Sequence, residues 1–534
     1  MGATSVVNSI SVNRKFPDET KDRKKYFLFG VFFDGTGNDM TNNHHVLADS
    51  QRPSVNLNDK KKTEEVCKVP LSPQINNKKS LEKYIKYKEE NFKLDDFYSN
   101  KDGDDANDYS NVALLHHCFQ GMSDDEISTL LADNYDVHIY NIYIEGPGTT
   151  GGIDNFIGTV FGRGSGGVLA LLSQAADRIN TILSGFGDLS KAEFHFDVFG
   201  FSRGATLARM FSTTVLDDDC PEVLLNDDTK KLREKVKRTA ATVDFLGLFD
   251  TVSSIGIGVN DVGKYGLYLH DNVKGAMHLC ASDEFRLNFA VTDLGDSVNK
   301  NSISEFYIPG CHTDVGGTYK TNIRTLKIEY MKLLPQPQPV MMDSAPLMYV
   351  NMEDLRLPLK MFAHEPNSRN NEEDISVELL SNLGWFSRAN NNMLTDNGFI
   401  YEIHRLVRQG YNLLPFTLIA ERAKIITKRK IFRSFESGYS RFDMNGNVAR
   451  LTSDIKRKIE RTMKGRHFVY PQGSYISGNY RELRENYINY SANSSPFDLV
   501  NPPSFSGATM CRIVVDGNKE SRGDFFMCDY QTRG

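Results

Sequence analysis

The chain has 534 residues, enough for one heavily decorated domain or for two or three, and 40% hydrophobic with 11% aromatic content supplies a sizeable buried core. A net charge of -6 gives no overall attraction to polyanions, and no zinc-spaced Cys/His cluster or P-loop occurs, which together exclude nucleic acid from the expected partners. Seven cysteines (Cys67, Cys118, Cys220, Cys280, Cys311, Cys511, Cys528) at irregular spacing imply no disulfide framework and fit folding in a reducing compartment.

Residues 1–25 are a polar leader without the apolar stretch of a secretory signal, and no run reaches membrane-spanning length. Synthesis in the cytoplasm is therefore expected, with a dedicated export machine required for work elsewhere. Tyr26 to Phe33 is an unbroken apolar run, suited to a first buried strand, that stops at Asp34-Gly35-Thr36-Gly37-Asn38. Residues 40–108 then turn polar, with runs such as Lys60-Lys61-Lys62 and Asp102-Gly103-Asp104-Asp105, and read as a solvated insertion. Periodic structure resumes with a helix at Asn111 to Leu115 and a strand at Val137 to Ile144, ending at Glu145-Gly146-Pro147-Gly148-Thr149. The glycine-rich stretch around Ile153 to Phe161 reads as a packing loop, or as a mobile lid or lipid-contacting loop. A helix, Val168 to Leu183, follows it.

The next junction carries the chemistry. Phe194 to Phe199 is strand-like, Ala205 to Leu216 is helix-like, and between them stands Gly200-Phe201-Ser202-Arg203-Gly204. A Gly-x-Ser-x-Gly turn at a strand-to-helix bend is a nucleophile elbow, in which any larger flanking side chain collides with the neighbouring strand or helix. The bend exposes the serine hydroxyl beside a helix N-terminus, and the Arg203 N–H there can receive negative charge developing on a carbonyl oxygen. Gly35-Thr36, after the first strand, has the small residues needed to bring in a second such donor, with Asp34 orienting the loop.

Serine at neutral pH is a poor nucleophile, so acyl transfer needs an imidazole to take its proton and a carboxylate to orient that imidazole. His312 follows the strand Glu305 to Ile308 in the loop Pro309-Gly310-Cys311-His312-Thr313-Asp314-Val315-Gly316-Gly317, and Asp250 closes the strand Val243 to Phe249. The chain order Ser202, Asp250, His312 is the one α/β-hydrolases use. Asp314 is a rival acid two residues from the histidine, Asp197 suits a buried hydrogen-bond network, and His116 and His117 lie on a helix expected far from any strand end. The chemistry calls for no metal or cofactor.

Strands alternate with helices from Tyr26 to Tyr319, so the expected fold class is α/β: a mostly parallel sheet flanked by helices, with active groups at the strands' C-terminal ends. Four regions are expected: the leader 1–25, an α/β-hydrolase-like core 26–320 holding the insertion 40–108, a mainly helical module 321–465, and a segment 466–534 packing back on the core. The module includes helix-like Ile400 to Leu414 and Asp454 to Lys464, with the basic stretch Arg422 to Arg433 between them. That stretch, like Ile153 to Phe161, reads either as structural or as a membrane-engaging element.

Phe33 to Asn38, Glu145 to Thr149, Gly200 to Ala205, Phe249-Asp250-Thr251-Val252 and Pro309 to Gly317 together resemble the α/β-hydrolase family that includes the first group of type VI secretion lipase effectors, which are antibacterial phospholipases. The likeness spans residues 26–320, with an echo near Tyr487 to Ser491, and departs from the family in the insertion and in the region 321–464. It implies phospholipase A activity, of A1 or A2 type, on bacterial membrane phospholipids. It further implies carriage by a VgrG-type spike into a rival's periplasm, and a cognate immunity protein. It makes Ser202 the nucleophile, Asp250 the acid and His312 the base. Two other functions are compatible with the residues alone: a carboxylesterase or neutral lipase, and a non-catalytic secretion cargo or adaptor on a hydrolase scaffold.

Overall fold

A computed structural model of the chain describes residues 12–14, 23–38, 109–148, 167–237, 240–253, 262–318, 322–329, 393–396, 400–407, 410–433, 447–469, 478–491, 505–506, 509–520 and 525–528. The polar insertion 40–108, the glycine-rich stretch around Ile153 to Phe161 and most of the leader 1–25 lie outside the described residues.

The described strands in chain order are β1 (Val12–Arg14), β2 (Lys24–Phe33), β3 (Tyr135–Ile144), β4 (Ala192–Phe201), β5 (Ala240–Phe249), β6 (Ala276–Ala281), β7 (Val291–Thr292) and β8 (Ile303–Ile308). They continue with β9 (Asn322–Glu329), β10 (Met393–Asp396), β11 (Ile400–Val407), β12 (Gly465–Phe468), β13 (Phe505–Ser506), β14 (Thr509–Val515) and β15 (Phe525–Cys528). The central sheet runs β1-β3-β2-β4-β5-β6-β8-β12, antiparallel only where β1 meets β3 and parallel in every other pairing. The expected fold class is what the chain adopts.

Apolar runs make these strands because the sheet is covered on both faces, and beyond their first residues most positions of β2, β3 and β4 are buried. Alternate residues then divide between two cores. In β2, Phe27, Phe29, Val31 and Phe33 enter one core while Tyr26, Leu28 and Phe32 enter the other. Across β2 and β4, Phe27 stacks on Phe194 at 5.2 Å, Phe29 on Phe196 at 5.6 Å and Phe32 on Phe199 at 5.0 Å. These ring pairs tie the register of the two strands to side-chain shape as well as to the backbone ladder.

The helices Val168–Ser184, Arg203–Leu216 and Asp227–Lys237 cover the first face, and Asn111–Cys118, Asp124–Ala132, Leu413–Thr427 and Asn447–Glu460 cover the second. One expectation needs correction here. Ile400 to Leu414 does not form one helix: Ile400–Val407 is β11, paired antiparallel with β9 and β10, and the helix begins only at Leu413. In the basic stretch Arg422 to Arg433, two of the six basic side chains, Arg422 and Arg429, are structural, while Lys424, Lys428, Lys430 and Arg433 are exposed. Arg422 is buried and donates to Ser304 Oγ and Thr462 O, and Arg429 is buried against Asp197 and Asp244. A long side chain that buries its stem and finds partners for its fork belongs to the packing rather than to a headgroup-binding face.

Candidate active site

Ser202 stands between the last residue of β4 and the first residue of the following helix, with φ 58° and ψ -125°. Such a conformation is sterically strained for any residue with a Cβ, and it turns the side chain out of both elements. The backbone holds it from several sides: Ser202 N–H donates to Phe249 O at 3.0 Å, and its carbonyl accepts from Ala205 N, Thr206 N and Val252 N. The flanking glycines are sterically required. A Cβ on Gly200 would come within 2.4 Å of Gly204 O, and one on Gly204 within 2.2 Å of Phe33 O.

Asp250 follows β5 directly and also has a positive φ, 46°. Because β4 and β5 are parallel neighbours with Phe201 opposite Phe249, Ser202 and Asp250 emerge side by side. His312 emerges two strands further on, from the turn after β8. Its Nδ1 lies 2.6 Å from Asp250 Oδ2, and its ring packs on Phe201 at 4.6 Å and edge-on to Phe289 at 4.9 Å. Ser202 Oγ and the imidazole are not hydrogen-bonded to each other in this structure, and the serine hydroxyl does not cap its helix.

Burial would raise the Asp250 carboxyl, but the Arg512 guanidinium and the His312 ring outweigh it and hold the group below the usual carboxylate range. Burial lowers His312, against the opposing pull of Asp250, so the ring stays neutral further into acid than a free imidazole. The expected rival acid is occupied elsewhere. Asp314 accepts the N–H of Cys311 and that of Asn489 at 2.9 Å each, and burial pushes it up to about 6.

The Gly35-Thr36 loop lies against the loop after β3, with Gly37 N–H on Pro147 O at 3.1 Å and Gly146 N–H on Asn38 O at 2.9 Å. Asp34 does orient it, and in doing so alters one expectation. Asp34 Oδ1 accepts the Gly35 N–H at 2.7 Å, while Oδ2 accepts from Ser110 Oγ and Tyr143 OH. Gly35 is therefore withdrawn from the donors expected to face a substrate, because its N–H already has a short charge-assisted partner. Thr36 Oγ1 is buried with no hydrogen-bond partner. His116 is not remote either: its ring lies 5.4 Å from Tyr143, near the end of β3.

The sequence reading missed the groups that brace this site. Asp283 and Glu284, just past β6, bracket the histidine turn, Asp283 accepting Gly310 N–H at 2.7 Å and Glu284 accepting His312 N–H at 3.1 Å. Arg286 pairs with Glu284 at 2.9 Å, and its guanidinium lies 3.4 Å from the Phe289 ring centroid. Glu284 is held at about 2: burial opposes this, and Arg286 leads the groups that overcome it. Ser491, in the segment that echoes the family motif, donates to Glu284. Arg512 reaches Asp250 from β14. One signal was present in the sequence, an arginine inside the otherwise apolar run Cys511 to Val515.

Among the described residues, His278, Cys280 and Glu305 bring possible metal ligands within 4.8 Å of one another. The members of this group are already tied into hydrogen bonds. His278 Nε2 accepts Thr251 N–H, its Nδ1 faces Glu305 Oε2 at 3.0 Å, and that oxygen also accepts Leu294 N–H. The group braces the backbone just beyond Asp250, and both ring nitrogens of His278 are already engaged.

Residues 214–335 match a family model described as "T6SS, Phospholipase effector Tle1-like, catalytic domain". The chain resembles the Tle1-like type VI lipase effectors. That likeness, first carried by five short motifs, is now carried by a matched stretch that contains Asp250 and His312. The match supports a lipolytic hydrolase of the phospholipase effector kind. Of solved structures, one is that of the Tle1 effector bound to the VgrG spike from the type 6 secretion system, with 19% identity, 88% of this chain and 85% of that chain covered, and a TM-score of 0.46. Another is an uncharacterized protein from Pseudomonas aeruginosa, with 18% identity, 55% and 42% covered, and a TM-score of 0.28. Both backbone likenesses are too loose to add to the Tle1-like match. No curated protein matches the chain. Among the described residues no helix is long and apolar enough to cross a membrane.

Proposed function

We propose that this chain is a phospholipase A that hydrolyses fatty-acyl esters of bacterial membrane phospholipids through an acyl-enzyme. Ser202 Oγ attacks the ester carbonyl, His312 Nε2 takes its proton and returns it to the departing glycerol oxygen, and Asp250 orients the imidazole and stabilises its charged form. Water then enters, His312 activates it, and the fatty acid leaves. The amides of Thr36 and Arg203 are the proposed donors to the oxyanion. The observation that carries the reading is the Asp250–His312 pair at 2.6 Å on strand ends beside a serine held at positive φ.

Since residues 214–335 match a type VI effector family, the reading extends to export by that system on a VgrG-type spike, action at a rival cell's membrane from the periplasm, and neutralisation by an immunity protein. Whether the first or second acyl chain is cut is tested with phosphatidylethanolamine and phosphatidylglycerol carrying different labels at the two positions. In the same assay the wild type releases fatty acid and Ser202→Ala does not, although both melt alike. Fatty-acid release by Ser202→Ala at the wild-type rate would overturn the proposal, and a strong preference for triglyceride or short soluble esters would move the substrate class.

A further inference from the structure

Arg512 lies in β14 and is wholly buried. Its Nη1 and Nη2 each sit 2.7 Å from one oxygen of Asp250, a fork-to-fork pair between residues 262 positions apart in the chain. The guanidinium is itself held, Nη1 donating to Ala281 O and Nη2 to Phe289 O. Asp250 Oδ1 therefore receives Arg512 and Ala281 N–H, and Oδ2 receives Arg512 and His312. A planar fork bound to both oxygens fixes the plane of the carboxylate, which one imidazole bond cannot do. It also places a full positive charge against the group whose negative charge supports the imidazolium.

Of the other charged groups facing this pair, Arg286 also lowers His312 while Glu284 raises it, and neither touches the Asp250 carboxylate that Arg512 grips. Glu284 accepts the His312 N–H, and Arg286, near the ring through Phe289, is paired with Glu284. Cys280 is buried nearby, and burial pushes its thiol up, so it stays neutral.

Resting on the triad reading above, we infer that Arg512 is a positioning residue for the acyl transfer. By clamping and partly neutralising Asp250, it sets how far into acid His312 continues to act as a base. β14 is parallel to β7 through the pairs Val514 with Val291 and Val515 with Thr292, so the site is complete only once this late segment has docked.

The test is the rate at which a fluorophosphonate probe labels Ser202, followed against pH, in wild type, Arg512→Gln, Arg512→Met and Arg512→Lys. The two neutral variants are expected to label about 100-fold more slowly at neutral pH, as a small misplacement of the base requires. Their acid limb is expected to move to higher pH, because an unopposed carboxylate favours the charged imidazole. Arg512→Lys keeps the charge but reaches one oxygen only, and should move the limb in the same direction by less. Neutral variants that melt cooperatively with the acid limb unmoved would overturn the inference whatever their rate, since a role confined to packing changes rate and melting but not that limb. Should both neutral variants fail to fold, Arg512→Lys decides: a displaced limb supports the inference and an unmoved one rejects it. A wild type that does not label at Ser202 sinks the triad reading and this one with it. A labelled wild type beside unmoved variants sinks this one alone.

Discussion

Two buried clusters in this sheet contain the same three kinds of side chain. At the C-terminal ends of the strands, Arg512 grips Asp250 and Asp250 meets His312. Within the bodies of β4 and β5, Arg429 grips Asp197 through both oxygens and also touches Asp244, which meets His195 Nδ1 at 2.9 Å. The bond lengths are alike; the surroundings differ. His195 is stacked on Tyr26 at 4.3 Å, and the nearest hydroxyl is that of Thr242, part of the same strand ladder. His312 instead stands where β4 breaks into a strained turn that presents Ser202. An arginine–aspartate–histidine chain can thus be only a way of burying charge, and what sets the outer one apart is the serine in the strained turn beside it.

The sharpest way to break this comparison is to remove the groups it treats differently. Ser202→Ala and His312→Ala should each lower phospholipid hydrolysis by about 10^4-fold or more with little change in melting temperature. His195→Ala should stay within a few-fold of wild type in turnover. Loss of turnover in a well-folded His195 variant would make the inner cluster part of the machinery and undo the distinction.

The aspartates give the next effect. Asp250→Asn keeps the shape but offers the wrong partner to the imidazole, and about a 10^4-fold fall in kcat is expected. Asp314→Asn should leave kcat within about 10-fold, and a fall matching that of Asp250→Asn would transfer the acid role. Asp197→Asn should act on the other scale: it removes the carboxylate that Arg429 grips through both oxygens, leaving only Asp244 to face it, and is expected to destabilise the fold by about 3 kcal/mol in denaturant unfolding, with turnover per folded molecule retained.

The smallest effect is in pH. His312 must be neutral to act as base, and burial holds its protonation below the ordinary imidazole value of about 6.5. Activity should therefore persist as pH falls through 6.5 and decline only below it; a midpoint for kcat/KM above that value would contradict the buried, neutral imidazole.

Much of this was legible in the residues. The strands β2 to β5 were legible from their length and their aromatic and β-branched content, even where polar residues alternate through the run, as Glu193, His195 and Asp197 do in β4. The elbow was legible because glycine is the only residue that fits on both sides of a serine at that bend. Ile400 to Val407 was misread because its apolar spacing suits a helix face nearly as well as a strand, and pairing with β9 and β10 settled the matter. The Gly35 amide was misassigned because a short side chain beside it, Asp34, could equally face outward or fold back, and it folds back.

Local chemistry was enough to place a serine, an aspartate and a histidine at the ends of strands, because strand ends, tight turns and helix starts leave their mark within a few neighbouring residues. The partners that hold those groups came from far away along the chain: Glu284 reaches His312 across 28 positions and Arg512 reaches Asp250 across 262. No local pattern encodes such meetings. They exist because packing two cores against one twisted sheet brings late segments over its C-terminal edge, and buried charge is tolerated there only when every member of the cluster finds its partner.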